Sequence, residues 1–205
     1  MKRSLILTVV VLAVLLPFLA LATEAEKEKE SKELGFWFEG QAIPGKPYRL
    51  LGYFARDLVD TRVGSFGFYV FAEQDSVDSG QKVGYREAYA GPTWKPFEWL
   101  QVGVGVGREN LPNSTRKNAF FDINYKKIAV YGTFESGGRG PWHKVTATYL
   151  LTEKFGAGVM DEKDLGIGPR LQYNLRKNVQ IWGALLSSHD EQRMLSTVLA
   201  INFSF

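Results

Sequence analysis

The chain has 205 residues, 45% of them hydrophobic and 14% aromatic, with a formal net charge of +3 and no cysteine. The lack of cysteine excludes a disulfide framework, so an exported form must be held by packing or by a membrane. The small net charge decides no class alone, and no nucleic-acid partner is expected.

In chain order, Lys2 and Arg3 precede an apolar run over residues 5–21 that closes on Ala20-Leu21-Ala22. A basic start, an apolar middle and a small-residue exit predict a secretory signal peptide over residues 1–22, leaving Thr23 first. A membrane anchor is the lesser reading, because the run is short for a helical span and Pro17 interrupts it. A bacterial lipoprotein is excluded for want of a cysteine at the cut. Residues 23–33, TEAEKEKESKE, carry both charges and nothing to bury, which predicts a solvated periplasmic tether. From Leu34 the composition turns to glycine, aromatic and β-branched residues without a second shift, so residues 34–205 read as one domain.

Within that domain the apolar residues recur every second position. Leu100, Val102, Val104 and Val106 alternate with Gln101, Gly103, Gly105 and Gly107. Ala119, Phe121, Ile123 and Tyr125 alternate with Phe120, Asp122 and Asn124, and Val145, Ala147, Tyr149 and Leu151 with Lys144, Thr146, Thr148 and Thr152. Leu165, Ile167, Leu171, Tyr173 and Leu175 oppose Gly166, Gly168, Arg170, Gln172 and Asn174. Such segments are near the length that crosses a tilted bilayer, about 9 to 11 residues. Short turns (DLVDTR, KPFE, YKK, TEK, LRKN) alternate with longer loops (IPGKP, DSVDSGQK, ENLPNSTRK, SGGRGPWHK, MDEKDLG, SHDEQR). The pattern predicts an all-β fold: a transmembrane antiparallel up-and-down β-barrel of twelve strands, or ten if one weak pair is misread. The weak stretches are residues 48–57, where both faces look mixed, and the short KFGAGVM.

The chain ends LAINFSF, with Leu199, Ile201, Phe203 and Phe205 on one face and Ala200, Asn202 and Ser204 on the other. This ending resembles the C-terminal assembly signal of bacterial outer-membrane β-barrel proteins. The resemblance implies an outer-membrane location, with the barrel assembly machinery, outer-membrane lipid and lipopolysaccharide as partners. In strand count and size the chain is also similar to small monomeric channels of the oligogalacturonate- and sialate-porin type, and no substrate is carried over with that likeness. Trp94, Phe97, Trp99, Tyr125, Phe155, Phe203 and Phe205 are expected to form an interfacial girdle at the turn end.

A charge facing lipid near the midplane costs about 2–4 kcal/mol, so parity sends Glu39, Glu73, Glu87, Glu109, Asp122, Glu135, Lys144 and Arg170 inward. Glu87 is expected beside Tyr85 and Tyr89, with Arg86 near the outer rim, where it can snorkel. Gly103, Gly105, Gly107, Gly156, Gly158, Gly166 and Gly168 are expected inward too, leaving space for Trp37, Tyr69, Tyr131 and Trp182 or for a channel. Pro92 and Pro169 each remove a ladder donor and predict bulges.

Enzymatic signals are weak. GVGVG has pure period two and no following helix, which removes the nucleotide-loop reading. His143 and His189 both fall in expected outer loops, and the adjacency of Ser187, Ser188, His189 and Asp190 suits a hydrophilic loop tip better than a nucleophile–base pair. Asp161, Glu162 and Asp164 lack the calcium-loop spacing. No metal and no cofactor are expected. The favoured function is a narrow passive channel for small hydrophilic solutes, with mild cation preference because inward carboxylates outnumber inward cations. The alternative is a closed-lumen scaffold or adhesin, and the least favoured is an outer-membrane lipid-modifying enzyme.

Overall fold

The computed structural model describes residues 34–76, 84–110, 114–138, 140–189 and 194–205. The expected signal peptide, the expected tether and Asp190 lie outside them. Twelve strands follow one another: β1 (Leu34–Ala42), β2 (Arg49–Thr61), β3 (Gly64–Asp75), β4 (Arg86–Phe97), β5 (Leu100–Glu109), β6 (Thr115–Tyr125), β7 (Ile128–Gly137), β8 (Trp142–Leu150), β9 (Phe155–Glu162), β10 (Gly166–Arg176), β11 (Val179–Ser187) and β12 (Leu195–Ser204). Each pairs with its sequence neighbour, and β1 pairs antiparallel with β12, so the sheet is a closed barrel. Closure matters because an open edge would leave a row of backbone donors and acceptors unpaired, which lipid cannot satisfy.

The last strand makes that closure. Ser204 lies opposite Trp37 and Leu199 opposite Ala42. Beyond the ladder, the Phe205 amide donates to the Phe36 carbonyl at 2.8 Å, and the two rings lie 5.8 Å apart. Leu199, Ile201 and Phe205 are exposed on the outer face, whereas Val198 and Ala200 are buried inside.

Connections alternate between the two rims. One rim has segments 62–63, 98–99, 126–127, 151–154 and 177–178; the other has 43–48, 76–85, 110–114, 138–141, 163–165 and 188–194. We call these the turn rim and the loop rim. Aromatic rings gather at the turn rim: Phe97 stacks on Trp99 at 5.1 Å, Trp99 meets Tyr125 at 5.8 Å, and the Trp94 indole donates to the Val63 carbonyl at 3.0 Å.

Several sequence expectations are corrected. DLVDT is strand rather than turn, because β2 runs to Thr61 with a register shift between Asp57 and Val59 that absorbs one residue. MDEKDLG is not a loop: Asp161 and Glu162 belong to β9, and only 163–165 turn. Leu165 therefore leaves the outer face and packs inside with Met160 and Leu186. His143 lies in β8, not in a loop. Neither proline makes a bulge. Ala90 faces Val106 and Thr93 faces Gly103, the same register on both sides of Pro92, and Pro169 sits regularly opposite Val159. The shifts fall near the turn rim instead, between Trp94 and Phe97 and between Asn174 and Arg176, where the sheet bends into its turns.

The interior is not uniformly polar. Met160, Trp182, Ala184, Leu186, Val198 and Ala200 pack with Ile43 and Leu165 into an apolar cluster inside β9–β12. Across the lumen, Tyr69, Tyr89 and Phe120 form a second cluster with Ala55. The glycines of β5 make room for it. A Cβ on Gly105 would lie 2.2 Å from the Tyr69 hydroxyl, and one on Gly103 2.2 Å from the Phe120 ring. Large rings thus lie against a bare strand and narrow the lumen.

Candidate functional site

The inner face of β3, β4 and β5 carries three carboxylates in a row. Glu73 lies directly opposite Glu87, and Glu87 directly opposite Glu109. Like charges facing one another across a sheet repel, so such a row needs compensation. Two arginines supply it from either side. Arg116, at the start of β6, sits between Gly107 and Gly137 in the register, where its guanidinium has space. Its Nη2 contacts Glu135 Oε2 at 2.5 Å, and its Nε lies 3.6 Å from Glu87 and 3.7 Å from Glu109. Its Nη1 donates to the carbonyls of Gly137 and Gly140 at 2.8 and 3.0 Å. The side chain is 2% exposed.

On the other side, Arg49 Nε stands 3.1 Å from Glu73 and 3.4 Å from Asp75, and its Nη1 is 2.8 Å from Glu162. Lys144 Nζ reaches the second Glu162 oxygen at 3.8 Å. Tyrosines complete the row: the Tyr85 and Tyr89 hydroxyls both meet Glu87 Oε2, and the Tyr85 hydroxyl also lies 2.9 Å from Glu109, so its single hydrogen is shared between the two carboxylates. Burial and the hydrogen bond to Glu87 push the Tyr85 phenol well above its ordinary pKa, so it stays a donor at physiological pH. The layer holds six carboxylates (Glu73, Asp75, Glu87, Glu109, Glu135, Glu162) against three cations (Arg49, Arg116, Lys144). It is tied together yet net acidic.

This layer lies between two cavities. One, of about 540 Å³, opens at the loop rim around Lys46, Asn110 and Lys163; the other, of about 380 Å³, occupies the barrel middle. Arg49, Glu73, Glu135 and Trp142 line both. In the inner cavity, Trp37 stacks on Tyr53 at 5.7 Å. Glu39 accepts from Gln41 at 2.6 Å, the Trp182 indole at 2.7 Å and Asn202 at 3.3 Å. Arg170 lies 4.7 Å over the Trp182 ring and donates to Thr148 and Gln172 at 2.8 and 2.6 Å. Asp122 accepts from Asn124 at 2.9 Å and, among the described residues, has no ion-pair partner.

The structure thus gathers Glu73, Glu87, Glu109 and Glu135 in one layer, places Glu39, Asp122 and Arg170 in the inner cavity, and sets Lys144 between the two. Arg49, Arg116 and Glu162 were missed. Each sits within two residues of a connection, and sequence reasoning assigned it to a loop or to a mixed stretch. Alternation held the signal for Arg116, which shares parity with Asn118, Phe120 and Asp122. The serine–histidine adjacency does not assemble a hydrolase pair among the described residues. His189 Nε2 faces Asp161 at 2.8 Å, and Ser188 Oγ is buried with no hydrogen-bond partner among the described residues.

No protein-family model and no curated protein sequence matches the chain. Solved structures do. The barrel is similar to KdgM porin in complex with disordered oligogalacturonate, with a TM-score of 0.56 and 14% identity over 83% of this chain and 99% of that one. A further KdgM porin structure gives a TM-score of 0.53 at the same identity and coverage. Outer membrane phospholipase A from Escherichia coli gives 0.50 at 9% identity, over 87% of this chain and 93% of that one. The protein has the closed, twelve-stranded antiparallel fold of outer-membrane β-barrels. Within that class its architecture is porin-like.

Proposed function

We propose that the protein is a narrow passive channel of the bacterial outer membrane for small hydrophilic solutes, with mild cation preference. The observation that carries this reading is the pair of cavities, a polar one of about 540 Å³ at the loop rim and an aromatic-walled one of about 380 Å³ in the barrel middle, meeting at a net-acidic layer. Fixed carboxylates in a narrow, low-dielectric tube replace part of a cation's hydration and repel anions. Asp122 and Glu39 in the inner cavity add to the bias, and Arg170 offsets part of it. Oligogalacturonate is named for the similar KdgM structure; the excess of carboxylates in this lumen favours neutral or cationic solutes over an acidic sugar.

The second reading, a closed scaffold, draws on the apolar cluster inside β9–β12 and on the arginine-tied layer. Conductance of the purified barrel in planar bilayers separates the two. A small, steady conductance with a reversal potential on the cation side of a salt gradient supports the channel. Silent insertion at all voltages supports the scaffold.

A further inference from the structure

The outer face of the loop rim holds a cluster that the lumen does not use. His143 of β8, Asp161 of β9 and His189 beyond β11 converge there, their ligand atoms all within 4.8 Å of one another. His143 Nε2 lies 3.3 Å from one Asp161 oxygen and His189 Nε2 2.8 Å from the other. The fold has arranged this meeting. His189 must reach across β10 to touch β9, and it does so where the segment after β11 presses onto Gly166. A Cβ on Gly166 (φ 106°) would lie 1.8 Å from the Ser187 carbonyl oxygen and 2.6 Å from the Ser188 nitrogen, so only glycine permits the approach.

From this geometry we infer that His143, Asp161 and His189 form a binding site for a zinc-type divalent transition metal. Two imidazoles and one carboxylate are the donor set such ions take, whereas calcium and magnesium need more oxygens. Ligand bonds of about 2.0–2.2 Å in a tetrahedron put donor atoms roughly 3.3–3.5 Å apart. The two imidazole–carboxylate separations, 3.3 and 2.8 Å, lie at and below the lower end of that range and the whole set lies within 4.8 Å, so side-chain rotations without backbone movement seat the ion. Side-chain exposures of 35%, 30% and 45% leave the fourth position open to water. A bound ion ties three chain segments together on the outside of the rim.

Zinc chloride titrated calorimetrically into the purified full barrel in detergent tests the site. One saturable ion per chain is expected, with binding weakened at least tenfold in His143→Ala and in His189→Ala, and calcium in large excess is expected not to compete. His189→Gln changes only an exposed residue outside the strands and guards against misfolding, with heat-modifiable gel migration as the folding control. Absence of saturable zinc binding by the wild type, or wild-type affinity in folded histidine variants, overturns the site. Displacement of zinc by equimolar calcium overturns the metal class.

Discussion

Arg116 neutralises the carboxylate row, and its loss is the sharpest perturbation of the lumen. In Arg116→Ala, Glu135 loses a contact at 2.5 Å, and Glu87 and Glu109 lose their shared cation at 3.6 and 3.7 Å. The Gly137 and Gly140 carbonyls lose a donor as well. Removing one partner of a buried ion pair costs about 3–5 kcal/mol. The layer borders the cavity open at the loop rim, where the freed carboxylates gain partial solvation, so about 3 kcal/mol is expected. Arg116→Lys keeps the charge without the fork that reaches several acceptors, and an intermediate loss follows. The layer shifts from six carboxylates and three cations to six and two, so cation preference rises while stability falls. Urea unfolding of barrels folded in lipid vesicles reads the first effect, and reversal potentials read the second. A stability change within about 0.5 kcal/mol, the range of unremarkable surface substitutions, or a shift toward anions would refute the compensation argument.

Gly105→Ala puts a methyl 2.2 Å from the Tyr69 hydroxyl and is expected to cost about 1–3 kcal/mol by overpacking; adding Tyr69→Phe removes the clashing oxygen and should restore part of it in the same unfolding assay. Asp122→Asn removes the inner-cavity carboxylate that has no ion pair among the described residues, so it should lower cation preference in reversal-potential measurements more than Asp161→Asn, whose side chain lies on the outer face. Phe205→Ala should reduce the fraction of chains assembled into heat-modifiable barrels while changing the unfolding of assembled barrels little, because the side chain is 67% exposed and its backbone bonds to Phe36 remain. Equal assembly of variant and wild type would separate the apolar ending from assembly.

Strand number, closure and the two rims were legible because period-two alternation sets one face per strand, and a misread boundary moves an end without flipping the face. DLVDT looked like a turn because Asp57 and Asp60 break the alternation; a single extra residue in the ladder accommodates them, which residue types do not reveal. The site was half legible. Parity sent Glu39, Glu73 and Glu135 inward, and they line the inner cavity. It said nothing about register, and register is what aligns Glu73, Glu87 and Glu109 in a row and brings Arg116 to its far end. Trp182 was expected inside, but the apolar cluster around it was missed because Ala184 and Leu186 look the same from sequence whether their face meets lipid or lumen.

β8 and β9 show how one pairing builds both sites. Lys144 lies directly opposite Glu162 on the inner face, and the residue before each, His143 and Asp161, meets diagonally on the outer face. Two consecutive dipeptides therefore place a cation–carboxylate contact in the lumen and an imidazole–carboxylate contact on the rim, 3.8 and 3.3 Å apart respectively. A slip by one residue would invert every side chain of the strand, driving Lys144 into the lipid-facing surface and parting His143 from Asp161. Carrying a charged residue at the lipid midplane costs about 2–4 kcal/mol, less near the interface where this pair sits. If β9 flips instead of β8, the cost falls on Arg49, which loses its partner Glu162 from the inner face. Both contacts thus select the same register, and that register is also the one that lets His189 find Asp161. The lumen network and the rim cluster are coupled through the backbone pairing of β8 with β9, with no side chain shared between them.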